Sequence, residues 1–382
     1  MSKKAWIGVA VAAIVVLVVG IWYANRPPSN DRPEATVVIG AISPFTGEGA
    51  NYGKAARTGI DMAVDEINAQ GGIRGKKLVI QYEDDKGTPK DAVSAFEKLA
   101  TVKKVPAVLG PFYSSNVLAC APVADKTQVV LLTGTATSDN VRGAGKYVFR
   151  VCPSNNAQSR TIANFAFTKL KMKTSFILYR NVDYGVTLRD AFDKAFKELG
   201  GQILGTEGVA AEATDVRTQL TKVKAANPDF VFAAVHYPEG IAILRQAKEL
   251  GIPSVIIGTD GGYDPLLLKM AGNAAEGSYW VTIGWGDEKS NPAVARFKKA
   301  YRERYGEDPG AYSGLYYDAA HVLAKAMSAV EKIDGPSVQQ SLSATVYDGP
   351  TGVTKFDSAH DVDKPFTLYK VEKGQFSPVP NK

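Results

Sequence analysis

The residues with chemistry in them are hydroxyls that follow apolar runs, together with one carboxylate far along the chain. In residues 105–116, Val-Pro-Ala-Val-Leu-Gly-Pro-Phe-Tyr-Ser-Ser-Asn, an apolar run ends in Gly110-Pro111, and Ser114 and Ser115 stand where the next helix begins. The stretch reads as strand, sharp turn and helix N-terminus. Backbone N–H groups at a helix start lack intrahelical partners and favour negative charge, so a carboxylate can be captured at Ser114 and Ser115. Serines at such a point also serve ordinarily as N-caps, and the turn alone does not separate the two roles. A second hydroxyl-rich loop, 133–140, carries Thr135 and Thr137, and Asp260 lies in Gly-Thr-Asp-Gly-Gly at 258–262. Ser114, Thr135 and Thr137 can bind a carboxylate while Asp260 pairs with an ammonium, a combination that describes an α-amino acid. Taken alone, Asp260 before two glycines would be a turn residue.

Catalysis has no comparable seat. Gly47, Gly49 and Gly53-Lys54 invite a phosphate-loop reading, but Glu48 stands where the Walker pattern needs Gly and Ala55 where it needs Ser or Thr. The dinucleotide fingerprint fails by one residue, so a flexible loop lining a cleft is the better reading. His236, His321 and His360 are too scattered for a triad or a metal site, and no Gly-x-Ser-x-Gly or His-Glu-x-x-His occurs. His321 falls in an apolar helical stretch and reads as a core residue. No enzyme activity, catalytic residue, metal or cofactor is expected.

The elements that must position the hydroxyls alternate. Apolar runs at 37–42, 78–82, 105–109, 129–133 and 147–151 read as strands; 52–70, a segment from Thr88-Pro89 and 117–125 read as helices. A second cycle gives helices at 159–170, 187–199, 215–226 and 239–250, and strands at 176–179, 203–209, 230–235 and 255–257. Two long helical segments follow at 292–305 and 312–333, then a strand-like tail at 347–379. Strands alternating with helices predict doubly wound parallel sheets in an α/β fold. Ligands in such sheets bind beyond the carboxyl ends of strands, and two domains facing each other would use both sets of loops.

With 382 residues, 45% of them hydrophobic and 22% charged, the chain can build two domains with sizeable cores. The formal charge of +6 comes from 45 basic and 39 acidic residues interspersed along the length. There is no basic block with interleaved aromatics, so no nucleic-acid partner is expected. Residues 5–24 carry no charge and follow Lys3 and Lys4, a run long enough to span a bilayer, which takes about 20 residues. Trp22-Tyr23-Ala24 offers no small-x-small cleavage site, which favours an uncleaved signal-anchor with Met1 cytoplasmic and the rest extracytoplasmic; cleavage and secretion is the alternative. Residues 27–33 form a stiff polar tether. Cys120 and Cys152 either close a disulfide loop, contributing roughly 3 kcal/mol, or are two buried thiols.

Several segments, in order, resemble the branched-chain amino-acid-binding proteins of ABC transporters. They are Val-Val-Ile-Gly-Ala-Ile-Ser-Pro-Phe-Thr-Gly at 37–47, Ala-Val-Asp-Glu-Ile-Asn-Ala-Gln-Gly-Gly-Ile-Arg-Gly-Lys-Lys-Leu at 63–78, Val-Leu-Gly-Pro at 108–111, Phe-Arg-Val-Cys-Pro-Ser at 149–154, Leu-Arg-Gln-Ala-Lys-Glu-Leu-Gly at 244–251 and Gly-Asn-Ala-Ala-Glu-Gly at 272–277. The resemblance implies a type I periplasmic-binding fold behind an N-terminal transmembrane helix. Residues 1–35 would be anchor and tether, 36–154 plus 284–350 one lobe, and 155–283 plus 351–382 the other, with hinge crossings near 151–156, 282–286 and 348–356. It implies an α-amino acid ligand, aliphatic or branched-chain or related, and an ABC permease partner. Carried over by position, the carboxylate and ammonium contacts fall on Ser114, Thr135, Ala136, Thr137 and Asp260, and the aromatic pocket on Tyr52, Tyr113, Tyr184 and His236. Asp260 stands where the leucine-type binders have Glu, and His236 where they have Tyr. The family's usual cysteine pair is absent, with Gly87 nearby and Tyr113 in its place. Relatives of this fold also take aromatic acids, amides or urea, or serve as ligand-sensing receptors.

Overall fold

Strands form where the chain runs apolar, and helices where apolar residues recur every third or fourth position behind a capping side chain. The computed structural model describes residues 35–285 and 291–380. The first elements are β1 (Thr36–Ser43), α1 (Ala50–Ala69), β2 (Lys77–Asp84), α2 (Pro89–Glu97), β3 (Ala107–Leu109), α3 (Ser114–Thr127), β4 (Val130–Thr133) and β5 (Val148–Arg150). A second run follows with α4 (Asn155–Asn164), β6 (Thr174–Arg180), α5 (Asp183–Glu198), β7 (Gln202–Val209), α6 (Arg217–Ala226), β8 (Phe230–Ala234), α7 (Tyr237–Glu249), β9 (Val255–Gly258), α8 (Pro265–Ala271) and β10 (Tyr279–Ile283). Then come α9 (Pro292–Tyr305), α10 (Ala311–Ser328), α11 (Gly335–Ala344), β11 (Val346–Gly349), β12 (Gly352–Lys355), β13 (Phe366–Glu372) and β14 (Gln375–Pro378).

One five-stranded sheet runs β2-β1-β3-β4-β5, and a seven-stranded sheet runs β14-β13-β10-β9-β8-β6-β7. Parallel pairing of β1 with β3, β3 with β4 and β4 with β5 meets the expectation for the first sheet. In the second, β7, β6, β8, β9 and β10 pair in parallel, but β13 and β14 add an antiparallel hairpin at one edge. That hairpin is the strand-like tail folded back on itself, with Tyr369 opposite Pro378. Strand β10 was not among the strands read from the sequence.

The remaining departures have local causes. Helix α4 begins at Asn155, ahead of the expected 159, because the Ser154 hydroxyl accepts from the Ala157 N–H at 3.3 Å. The segment expected as one helix over 312–333 ends at Ser328, and α11 starts beyond it where Asp334 accepts from the Ser337 N–H at 3.0 Å. Asp264 does the same for α8, which lies outside the helices expected from the sequence. The cysteines are both free, fully buried thiols. Burial pushes each thiol up to about 12, so both stay protonated at neutral pH. The expected membrane run 5–24 and the tether lie outside the described residues; among those described, no helix is long and apolar enough to cross a membrane.

Helices α1 and α10 lie so close that a Cβ on Gly59 would stand 2.1 Å from the Ser313 carbonyl oxygen. Tyr52 lies two turns before Gly59 on α1 and Tyr312 immediately before Ser313 on α10, so the close approach of the two helices sets the position of both rings. Gly59→Ala is expected to lower stability by about 1–3 kcal/mol in urea unfolding, because the helices must separate to admit the methyl group. An unchanged unfolding midpoint would mean that the two helices adjust freely.

Candidate functional site

The carboxyl ends of strands from both sheets converge on a cavity of about 340 Å³. From the first sheet come the β3–α3 turn and the loop after β4; from the second come the ends of β6, β8 and β9. The first turns of α1 and α10 supply Tyr52 and Tyr312.

Helix α3 starts at Ser114, and its N-cap is Tyr113, in extended conformation and without a side-chain cap hydrogen bond. Neither serine therefore caps the helix. The Ser114 and Ser115 N–H groups have no partner among the described residues, whereas that of Asn116 donates to the Tyr113 carbonyl at 3.1 Å, and both serines line the cavity. The Ser114 hydroxyl accepts from the Ser138 N–H at 3.2 Å, which ties the helix start to the loop after β4. In that loop Thr135 lines the cavity and donates to the Phe112 carbonyl at 2.8 Å. Ala136 and Thr137 lie behind the lining, both fully buried. The Ala136 carbonyl accepts from Arg150 Nη1 at 3.2 Å, while the Thr137 hydroxyl has no partner among the described residues.

Across the cavity, Asp260 follows β9 and is 2% exposed, so its orientation must come from hydrogen bonds rather than water. Gln158 grips it from both sides: its Nε2 donates to Asp260 Oδ1 at 2.7 Å, and its Oε1 accepts from the Asp260 N–H at 3.0 Å. The Tyr184 hydroxyl donates to the same Oδ1 at 2.8 Å and accepts from the Gly261 N–H at 3.0 Å. Tyr312 donates to the Asp260 carbonyl at 2.7 Å. Burial raises the carboxyl above the usual carboxylate range, and the bonds from Gln158 and Tyr184 offset part of that shift.

The aromatic positions also gather here. Tyr52 stacks on Phe112 with centroids 4.9 Å apart and meets Tyr312 edge-on at 5.6 Å. Tyr113 stacks on His236 at 5.2 Å, and Tyr184 lies 4.7 Å from His236. Burial, with the Arg180 charge second, holds the His236 imidazole well below its ordinary pKa, so it is neutral at physiological pH. The other histidines sit elsewhere: His321 stacks on Tyr347, and His360 on Phe149.

Loops of the two sheets touch around the cavity. Asn51 Nδ2 donates to Asp264 Oδ2 at 2.7 Å, Tyr237 donates to the Glu48 carbonyl at 2.7 Å, and Tyr52 donates to the Gly261 carbonyl. The loop with Gly47 and Gly49 is tied through the Glu48 carbonyl to the start of α7, and none of residues 43–49 lines the cavity. Of the nine expected site residues, seven line the cavity; Ala136 and Thr137 do not.

Sequence reasoning did not single out Gln158, Arg180 or Tyr312. Gln158 fell just outside the expected helix 159–170, and Tyr312 appeared only as the start of a helix. Arg180 did carry a signal, since it opens the polar loop after β6. It lines the cavity in a buried ion pair with Glu239, whose carboxylate also accepts from the His236 N–H at 3.1 Å.

A family model described as periplasmic binding protein matches residues 36–375. The leucine-, isoleucine-, valine-, threonine- and alanine-binding protein of Pseudomonas aeruginosa is 28% identical over 340 residues, which cover 88% of this chain and 90% of that protein. Among solved structures, the leucine-binding protein LivK of Thermotoga maritima superposes with a TM-score of 0.86 at 29% identity, over 90% of this chain and 98% of that one. The branched-chain amino-acid-binding protein LivJ of Streptococcus pneumoniae, in complex with isoleucine, gives 0.84 at 30% identity, over 90% and 99%.

Proposed function

The chain belongs to the periplasmic binding protein family, and from that premise we propose that it is the extracytoplasmic solute-binding component of an ABC importer, capturing an α-amino acid and presenting it to a membrane permease. The observation that carries the reading is one cavity lined by two complementary ends: the uncapped start of α3 with Ser114 and Thr135, and the buried carboxylate of Asp260. The first suits a carboxylate and the second an ammonium. A ligand without a cation would leave Asp260 unpaired in a closed cleft, at a cost of several kcal/mol. Thr137, buried with an unpaired hydroxyl behind the loop, remains part of the proposed carboxylate end. Residues 5–24 are proposed as the anchor that holds the protein at the membrane.

In this reading the two sheets belong to two lobes, 36–154 plus 284–350 and 155–283 plus 351–382, which part at the crossings near 151–156, 282–286 and 348–356. The contacts between loops 48–52 and 237–264 support a shut arrangement. Ligand touches both lobes only when they are shut, so binding shifts the population towards the form a permease would engage.

A thermal-shift screen of the purified full chain, stripped of ligand, tests the reading against amino acids, aromatic acids, short amides and urea. A ligand at 100 times its Kd adds about 2.7 kcal/mol, a shift readily seen. Amino acids are expected to raise the melting point. If none does and benzoate or an amide does, the ammonium assignment falls. Ser114→Ala is expected to weaken amino-acid binding by about tenfold in calorimetry, in line with one charge-assisted hydrogen bond lost. Unchanged affinity would remove Ser114 from the carboxylate end.

A further inference from the structure

The cavity wall away from Asp260 is not the apolar surface that an aliphatic side chain would need. Arg180 stands at the end of β6 and is 9% exposed. Its Nη1 donates to Glu239 Oε1, while its Nε–H is buried with no partner among the described residues. Glu239 is already served from several sides, by Arg180 and the Glu212 N–H on one oxygen and the His236 N–H on the other. Glu239 therefore has little left to give the free Nε. Beside it, His236 also lines the cavity, with its side chain turned to the Glu239 N–H at the start of α7. The Arg180 Nε–H, on a residue of the cavity wall, is thus left awaiting a hydrogen bond. An aliphatic ligand would leave this buried N–H without a partner, the situation that buried polar groups avoid.

Resting on the amino-acid reading above, we infer that the ligand's side chain ends in a carbonyl-type acceptor, a carboxamide or carboxylate, that takes a hydrogen bond from Arg180. The carboxamide fits better. Arg180's charge is already balanced by Glu239, and Glu212 is a second acid on the cavity wall, so an added anion there meets like charge. A carboxamide also offers both a donor and an acceptor, which suits a neutral imidazole nitrogen in either tautomer as well as the guanidinium.

Calorimetric titration of the stripped protein with glutamine, asparagine, glutamate, leucine and isoleucine tests this. Glutamine or asparagine is expected to bind at least about tenfold more tightly than leucine. Glutamate as the tightest ligand would also support the acceptor. Arg180→Met leaves Glu239 buried and unpaired and so risks unfolding, and the double variant Arg180→Met with Glu239→Gln avoids that charge. In it, the preference over leucine should fall to within about threefold. Leucine or isoleucine binding more tightly than every polar side chain in the wild type overturns the inference while leaving the amino-acid reading intact. Binding of no amino acid at all overturns both. A preference that survives in the double variant removes Arg180 from the role.

Discussion

Asp260→Ala is expected to weaken amino-acid binding by about two to three orders of magnitude while leaving the circular dichroism spectrum unchanged. The ligand ammonium would then be enclosed without its counter-charge, and an unpaired charge in a buried site costs roughly 3–5 kcal/mol, at about 1.4 kcal/mol per tenfold in affinity. Asp260→Asn is the sharper variant, because it keeps the shape and an acceptor for Gln158 Nε2 and Tyr184 while removing the charge. Both variants should lose affinity. An affinity within threefold of wild type in both would rule out the ammonium pairing. The pairing also fixes a pH dependence. Burial raises the Asp260 carboxyl in the ligand-free protein, so on acidification it takes up a proton above the ordinary carboxylate range. Only the ionised form pairs with ammonium, so affinity is full above that raised pKa and falls as pH drops through it. Asp260→Asn should flatten this fall. A wild-type affinity that stays constant down to the ordinary carboxylate range would argue that Asp260 is not the partner.

Asp361→Ala is expected to be the most destabilising single substitution tested, by about 3–5 kcal/mol, because it strands a guanidinium in the protein interior. Arg150, at the end of β5, is 1% exposed and meets both Asp361 oxygens, through Nε and through Nη2 at 2.7 Å. Its Nη1 donates to the Ser138 carbonyl at 2.8 Å and to the Ala136 carbonyl at 3.2 Å. One side chain therefore ties the stretch between β12 and β13 to the loop that carries Thr135. The melting temperature should fall by at least about 6 °C, at about 2 °C per kcal/mol for a chain of this size. Ligand affinity should fall with it, since the threonine loop loses its support. Replacing both partners by apolar residues of similar volume should recover most of the stability, because the cost lies in the unpaired charge rather than in the missing bond. A fall of less than 2 °C for Asp361→Ala would show that water reaches Arg150 and that the pair does not hold the loop.

The hydroxyls at 114 and 135 and the carboxylate at 260 were legible as candidate cavity residues because each follows an apolar run, and strand ends in α/β sheets face the crevice whatever the rest of the chain does. The alternation of strands and helices was legible for the same reason. Hydrophobic period and capping residues are local properties, fixed within a few neighbours. The resemblance then extended the site to Tyr52, Tyr113, Tyr184 and His236, all of which line the cavity. The sequence by itself thus determined the fold class, the order of nearly all elements and part of the cavity lining. Tertiary structure decided the rest, and each case depends on residues far apart in the chain. Whether Ser114 caps its helix or lines the cavity turned on the helix beginning one residue earlier than a serine cap requires. Cys120 and Cys152 stay apart as buried thiols. Gln158 reaches across 102 positions to hold Asp260, and Arg150 reaches across 211 to Asp361. Arg180 acquires its meaning only beside Glu239 and His236, which the fold of the second sheet brings to it. A local pattern records which face of a strand or helix is buried. It does not record which polar atom on that face will be left without a partner, because that follows from the packing of both sheets around one cavity.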